Sequence, residues 1–592
     1  MSYLAISFAP VQGFIEKSRK LRDLYGASLI LSHLSFKIVE AARSQNCKVI
    51  SPGSISVQLG MPNRILLQGT WDDDSICTTF KEVWDNILHH CRNWICRNLR
   101  HRDYQWDEEW GYWKNHAWEI FSGRGNSIEA AMSTLEQNKL SRAWIAPNWI
   151  GESSSLTGTD AIAWPELGSK GIDPRTYPTH RDRQNIEYFY YELACKLEGK
   201  EPKPEGSKAA TRDKEEFLRG FLDPNERLSI PELVKRLVTK ETIAKRIEMV
   251  SLEDLAKRSD KSRSQAGFTE IVRRPSQEQK ESDGQWTGWF MGDGDKMGDR
   301  LKELSRCTNC DDLLPEFSER MRNWGKAFQE GFEKRFGRVV YAGGDDFLGV
   351  LYHPDFAEDR QNNRVSGAGA LNKMKEINQD WQGLHGQLWE DLGKVYDRPI
   401  TLSLGLVWAA PGVPQRDVLQ HCRQAEGEAK SSGRDRLAIR VLFNSGQYVQ
   451  WTCPWKALHL LEDYRDRDQH PDRPLRDRQN WGHAYGDLAQ LKARRAIDLI
   501  AGDRLDDGNK EVENQIDLAS RLLQIYFNWS REQCDRLIED EEYREQLTGQ
   551  KSRMGAVRWI DGLIGIGWHL LRFQSPIIQS PVTSHQSPVL DN

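Results

Sequence analysis

Two stretches of this chain repeat one order of elements. "YLAISFAPVQGFIEKSRKL" (Tyr3–Leu21) and "GWFMGDGDKMGDRLKEL" (Gly288–Leu304) each read as a short apolar strand, a tight turn and the start of a helix. More apolar strands follow each copy. After the first come "CKVISPG" and "SISVQLGMPNRILLQGT", the latter reading as a hairpin around Pro62-Asn63; after the second comes "RVVYAGGDDFLGVLY", from Arg338 to Tyr352. This spacing suits a β-α-β-β-α-β unit. The expectation is therefore an α+β protein with two ferredoxin-like units. The copies are not equivalent: aligned, Asp293 falls opposite Ala9 and Asp295 opposite Val11, so one copy carries carboxylates that the other lacks.

A chain of 592 residues has room for several domains. We expect a first, degenerate palm-like unit over 1–150, and a mostly helical middle region over 151–284 interrupted by the charged loop "KLEGKEPKPEGSKAATRDKEE". A second unit follows over 285–446, then a helical end over 447–573 and a disordered tail over 574–592 that repeats "QSP" three times. Tryptophan is dense from Trp84 to Trp149; aromatics in such numbers more often fill a core than stack on bases. A net charge of −5 argues against holding nucleic acid by bulk charge. No apolar run reaches the length of a membrane span, and the N-terminus reads as no signal peptide. Ten cysteines, mostly scattered singly, suit a reducing cytoplasm.

The chemistry concentrates in the second unit. Asp293 and Asp295 sit at a strand end, and Asp345 and Asp346 at the tip of the hairpin that follows. Either pair alone is more often a solvated turn. Together, and in this order, they can reach one edge of a sheet. Hard cations such as Mg²⁺ take oxygen ligands of this kind, and two ions can serve phosphoryl chemistry. Gly343 and Gly344 remove side chains where a triphosphate must approach the backbone, and they allow the positive φ of a tight hairpin. In "AEGEAKSSGRDRLAI", Lys430 at a helix end and Arg434 four residues later could grip phosphate.

Strand-DxD, hairpin GGDD and AK-x-x-GR resemble the palm shared by nucleotidyl cyclases and GGDEF-type enzymes. "SFAPVQGFIEKSRKLRDLYGASLILS" with the later "GDGDKMG" and "YAGGDD" is similar, more closely, to the large polymerase-type subunit of type III CRISPR effector complexes of the Cmr branch. The resemblance covers the opening segment and about Trp286 to Gly446. It implies a cyclic oligoadenylate synthase with ATP as substrate and two Mg²⁺ or Mn²⁺ ions. Two ATP molecules would sit between the palm-like units, the 3′-hydroxyl of one attacking the α-phosphate of the other. Carried over by motif, Asp293, Asp345 and Asp346 become catalytic metal ligands, Asp295 a further metal ligand, and Gly343, Gly344, Lys430 and Arg434 nucleotide contacts. Other effector subunits, guide RNA and target RNA are the implied partners.

The sequence departs from that family in three places. No His-Asp dipeptide occurs, so the HD-type nuclease found in many members is expected to be absent. The middle region offers only Cys195 towards a zinc site, and Cys307-x-x-Cys310 is one pair without a second. Gly298 stands where GGDEF-type cyclases place a lysine. A free-standing GGDEF-like cyclase and a catalytically silent scaffold subunit remain as alternatives.

Overall fold

β1 (Tyr3–Ala9) is apolar at nearly every position because both of its faces are covered. It belongs to a computed structural model that describes residues 2–52, 61–100, 102–141, 149, 151–169, 173, 175–204, 221–249, 285–307, 310–332, 337–352, 366–395, 397–466, 480–502 and 504–571. After β1 come α1 (Leu21–Ser44), β2 (Lys48–Ser51), β3 (Arg64–Gln68), α2 (Asp73–Asn98), β4 (Glu119–Gly125) and α3 (Ile128–Leu140). The sheet order is β2-β3-β1-β4, all antiparallel, which is the ferredoxin-like order with the first strand inside. Alternate residues of β1 point to opposite faces. Leu4, Ile6 and Phe8 meet the core formed with α1 and α2, while Tyr3 and Ala5 belong to the core that includes α3.

The middle region contributes α4 (His180–Leu197) and α5 (Ile230–Leu237). Each starts on a capping box, Thr179 with Asp182 and Ser229 with Glu232, which satisfies the free amides of the first turn. Arg236 on α5 is fully buried. Its Nε and Nη2 donate to Asp23 at 2.8 Å each and its Nη1 to Glu226. Burial alone would push Asp23 up, but the charge and hydrogen bonds of Arg236 outweigh it and hold the carboxyl at about 2. Most of the expected charged loop, its residues 205–216, lies outside the described residues.

The second unit runs β5 (Thr287–Gly294), α6 (Met297–Ser305), α7 (Cys310–Gly331), β6 (Gly337–Ala342), β7 (Asp346–Leu351), α8 (Gly367–Asp391), β8 (Leu402–Ala409), α9 (Gln415–Ser431), β9 (Arg436–Leu442) and β10 (Tyr448–Pro454). Its order is β10-β9-β8-β5-β7-β6. Within it β8-β5-β7-β6 repeats the order of the first sheet. β9 then adds parallel to β8 through α9, and β10 adds antiparallel to β9. One face of this sheet, with Trp289, Leu348, Val350 and Val407, packs with α9 and with Leu21 and Leu24 of α1. Tyr25 of α1 also donates its hydroxyl to Val339 O at 3.1 Å, so the two units are in direct contact.

Two strands were not expected. β4 lies in the tryptophan-dense stretch and supplies the fourth strand of the first sheet. β10 corrects the expectation of helix from residue 447: residues 448–454 extend as a strand because β9 offers a free edge, and Trp451 and Cys453 are buried there. α10 (Lys510–Phe527), α11 (Arg531–Glu539), α12 (Glu541–Thr548) and α13 (Arg553–Ile566) form the helical end. α13 lies on β10, where Trp559 Nε1 donates to Thr452 O at 2.9 Å and a side chain at Gly562 would strike Gln450 O. Trp84, Trp94, Trp106, Trp110 and Trp118 are buried core residues; Trp144 and the tail over 574–592 lie outside the described residues. No helix among the described residues is long and apolar enough to cross a membrane.

Candidate active site

The hairpin between β6 and β7 closes with Gly343 N donating to Asp346 O at 2.9 Å, leaving Gly344 and Asp345 as a two-residue loop. Gly344 has φ +132°, a conformation that glycine adopts without strain. A Cβ at Gly343 would lie 2.7 Å from Asp346 Oδ1, so glycine there leaves the carboxylate uncovered. Gly294 N donates to Asp345 O at 2.9 Å, which pins the loop to the end of β5. In the ladder Asp293 stands directly opposite Asp346. Three of the four expected carboxylates, Asp293, Asp345 and Asp346, are thus brought within electrostatic reach of one another by local hairpin geometry and one strand pairing.

Like charges so placed oppose ionisation. Burial raises Asp293, and the charge of Asp345 raises it further, against the pull of Lys430. Asp346 rises by burial and by the charges of Asp345 and Asp293. Burial also raises Asp345, with Arg64 and Lys430 opposing. Asp346 is open to solvent and the other two are half-buried, so water moderates the repulsion. Lys430 Nζ, at the end of α9, lies 2.7 Å from Asp293 Oδ2 and 2.5 Å from Glu426 Oε1. Arg434, in the turn after α9, is exposed.

Asp295 is placed apart from this cluster. It is 5% exposed, and both oxygens are engaged: Oδ1 by Ser403 Oγ at 2.6 Å, Oδ2 by Thr401 Oγ1 at 2.8 Å and by Asp435 N at 3.0 Å.

The carboxylate-only donor set suits a hard cation, whose charge would relieve the repulsion. It is not closed around one: among the described residues no three His, Cys, Asp or Glu side chains converge in metal-ligand geometry, and Lys430 supplies the positive charge at Asp293. Cys307 donates to Glu303 O, in the manner of a structural thiol.

Glu426 and Arg64 escaped the sequence reading. Glu426 precedes Lys430 by four residues, a helical ion-pair spacing that was available as a signal. Arg64 begins β3 of the first unit, and nothing in the sequence ties it to a hairpin some 280 residues away.

Residues 287–438 match the family model of the Cas10/Cmr2 second palm domain, and residues 3–59 match that of the N-terminal part of CRISPR-associated protein Cmr2. No curated protein matches the chain. Among solved structures it is similar to the apo state of a type III-B Cmr-beta assembly, at 12% identity, over 76% of this chain and 70% of that chain, with a TM-score of 0.42. It is also similar to a Csm1-Csm4 cassette in complex with cA4, at 12% identity, over 96% and 69% of the two chains, with a TM-score of 0.42. A Csm1-Csm4 subcomplex of the type III-A CRISPR-Csm interference complex is similar at 13% identity, over 96% and 69%, with a TM-score of 0.36. The carboxylate cluster lies inside the segment that matches the Cas10/Cmr2 second palm domain, and the opening segment matches the N-terminal part of Cmr2, so these two parts of the chain are similar to the Cas10/Cmr2 proteins of the Cmr branch.

Proposed function

We propose that the Asp293, Asp345 and Asp346 cluster is the catalytic centre of a nucleotidyltransferase that converts ATP to cyclic oligoadenylate. The observation that carries this reading is the strand register that sets Asp293 against Asp346, beside a glycine loop that leaves the carboxylates uncovered. The match to a Cas10/Cmr2 second palm domain supports it.

Asp293, Asp345 and Asp346 would hold two Mg²⁺ or Mn²⁺ ions, which when bound supply charge neutralisation at the transferred phosphoryl group and ease ionisation of the attacking hydroxyl. In the reaction a 3′-oxygen bonds to the α-phosphorus of a second ATP, pyrophosphate leaves, and the hydroxyl proton passes to solvent. Lys430 and Arg434 bind the triphosphate, and the first unit, whose Arg64 bears on Asp345, borders the site. The protein works as a subunit of a type III CRISPR ribonucleoprotein whose other subunits, with guide and target RNA, control turnover. This assembly acts in the cytoplasm. This chain does not contribute HD-type nuclease activity on this reading, which its lack of a His-Asp dipeptide supports.

The test is to purify the protein with co-expressed partners, add ATP, Mg²⁺ and candidate RNA, and identify products by mass spectrometry, with Mn²⁺ binding followed separately by electron paramagnetic resonance. Oligoadenylate made by the parent and lost in Asp345→Asn with Asp346→Asn, together with Mn²⁺ binding, is the expected result. Product at near the parent level from the double variant would reduce the aspartates to a turn.

A further inference from the structure

The turn after α9 is held in a backbone conformation that its side chains disfavour. Gly433, Arg434 and Asp435 have φ of 118°, 65° and 51°. Three successive residues of positive φ, two of them not glycine, persist only where the surroundings enforce them. The enforcing contacts come from three sides. Arg434 N donates to Ala429 O at 3.1 Å. The buried Arg436 guanidinium donates to Leu547 O at 3.0 Å and Gln546 O at 2.7 Å, in the last turn of α12. Asp435 N donates to Asp295 Oδ2 at 3.0 Å.

Asp295 and Asp293 therefore grip the two ends of one short segment. Asp293 takes the side chain of Lys430, and Asp295 takes the backbone five residues later. Asp295 is itself anchored by Thr401 Oγ1, by Ser403 Oγ, and through its own N–H to Thr401 O at 2.9 Å. With three donors on its two oxygens and almost no exposure, it is satisfied as a structural acceptor.

We propose that Asp295 is a positioning residue that fixes the Gly433–Asp435 turn, and with it Arg434 and Lys430, beside the carboxylate cluster, and that it does not ligate metal. The role in gripping triphosphate rests on the function proposed above; the role in holding the turn does not.

Asparagine and alanine separate the two possibilities. In Asp295→Asn the amide oxygen can accept from Thr401 and Asp435, while the amide nitrogen donates to Ser403 Oγ, whose hydroxyl is free to turn. A positioning role survives that exchange; a metal-ligand role, which needs the charge, does not. Asp295→Ala removes the acceptor altogether and leaves the Asp435 amide without it.

Three readouts decide the matter: amide hydrogen exchange at Asp435 and Mn²⁺ binding without nucleotide, both on the full-length chain, and steady-state kinetics with ATP on the protein assembled with its co-expressed partners and target RNA. Asp295→Ala is expected to speed exchange at Asp435 and raise KM for ATP by about tenfold, with a smaller change in kcat and Mn²⁺ affinity near the parent value. Asp295→Asn should restore all three to within a few-fold. Loss of Mn²⁺ affinity in Asp295→Asn to the extent seen in Asp345→Asn would make Asp295 a ligand and overturn the proposal. So would unchanged exchange at Asp435 in Asp295→Ala. If Asp295→Ala does not fold, Thr401→Val removes one anchoring donor and should speed the same exchange by a smaller factor, and unchanged exchange there counts against the proposal equally. A parent that binds Mn²⁺ but never turns over ATP refutes the synthase reading, while the exchange and Mn²⁺ readouts still judge Asp295.

Discussion

Replacing Asp346 by Asn should make the protein more stable and less active at once. Asp346 faces Asp293 directly across the β5–β7 ladder, and residues so paired hold their Cβ atoms about 5 Å apart. Two unit charges at about 5 Å repel by about 3 kcal/mol at an effective dielectric constant of about 20. Lys430 neutralises part of the Asp293 charge, and Asp346 is open to water, so about 1 kcal/mol survives the discount. Asparagine keeps shape and removes the charge. In EDTA the variant should therefore melt about 2 °C above the parent. Added Mg²⁺ should reverse the order, because a cation that binds the folded parent stabilises it by mass action and gains less from the variant. Loss of metal-assisted transfer should cost on the order of a thousandfold in ATP conversion. Differential scanning fluorimetry with and without Mg²⁺, beside product analysis in the same preparation, measures all of this. A variant that melts below the parent in EDTA would refute the repulsion, and equal Mg²⁺ stabilisation of both proteins would remove the cation from this cluster.

Lys430→Met deletes the positive charge beside Asp293 and Glu426. It should tighten Mn²⁺ binding while weakening ATP binding by about tenfold, two opposite shifts that titration calorimetry separates. Asp23 sets an acid limit: its folded value of about 2 lies below its ordinary 3.8, so its roughly 2 kcal/mol of stability is fully present above about pH 4 and is lost as pH falls towards 2. Urea midpoints of the parent and Asp23→Asn should accordingly converge over that window, and a gap independent of pH would contradict the assignment. Truncation after Gly446 strips β10 and the helix laid on it from the sheet, uncovering β9, so the fragment should aggregate more than the full chain under the same conditions, as size-exclusion chromatography would reveal. The chain should leave single-stranded DNA uncut in Mg²⁺ or Mn²⁺, since it carries no His-Asp dipeptide; cleavage that persists in Asp345→Ala with Asp346→Ala would oppose this.

Much of the site is written in short sequence. A two-residue hairpin loop needs glycine at one position, and "GGDD" supplies it together with the carboxylates that the loop presents. The apolar run of β5 ends where Asp293 begins to meet water, so the strand end is located from the few residues around Asp293 and the hairpin tip from the few around Gly344. The opening strand–turn–helix of each unit, and the strands that follow it, were legible for the same reason: each strand announces itself locally by apolar character and each turn by glycine, proline or asparagine. β4 and β10 were not legible. "EIFSGRG" and "YVQWTCP" carry little alternation of their own, and they become strands because β1 and β9 present edges for them to pair with.

The sequence by itself determined that Asp293, Asp345 and Asp346 would meet and on what kind of scaffold, because one strand and one hairpin bring them together within a single unit, but it counted Asp295 with them. It could not assign their neighbours. Asp295, two residues from Asp293, looks like the same kind of group in "DGD". Only the folded chain turns its carboxylate towards Thr401, Ser403 and the backbone of Asp435, more than a hundred residues away. Likewise only the packing of α1 of the first unit against the second sheet brings Arg64 within electrostatic reach of Asp345. A carboxylate's role is set by the donors and charges around it, and those come from strands and turns distant in sequence that no local pattern can name.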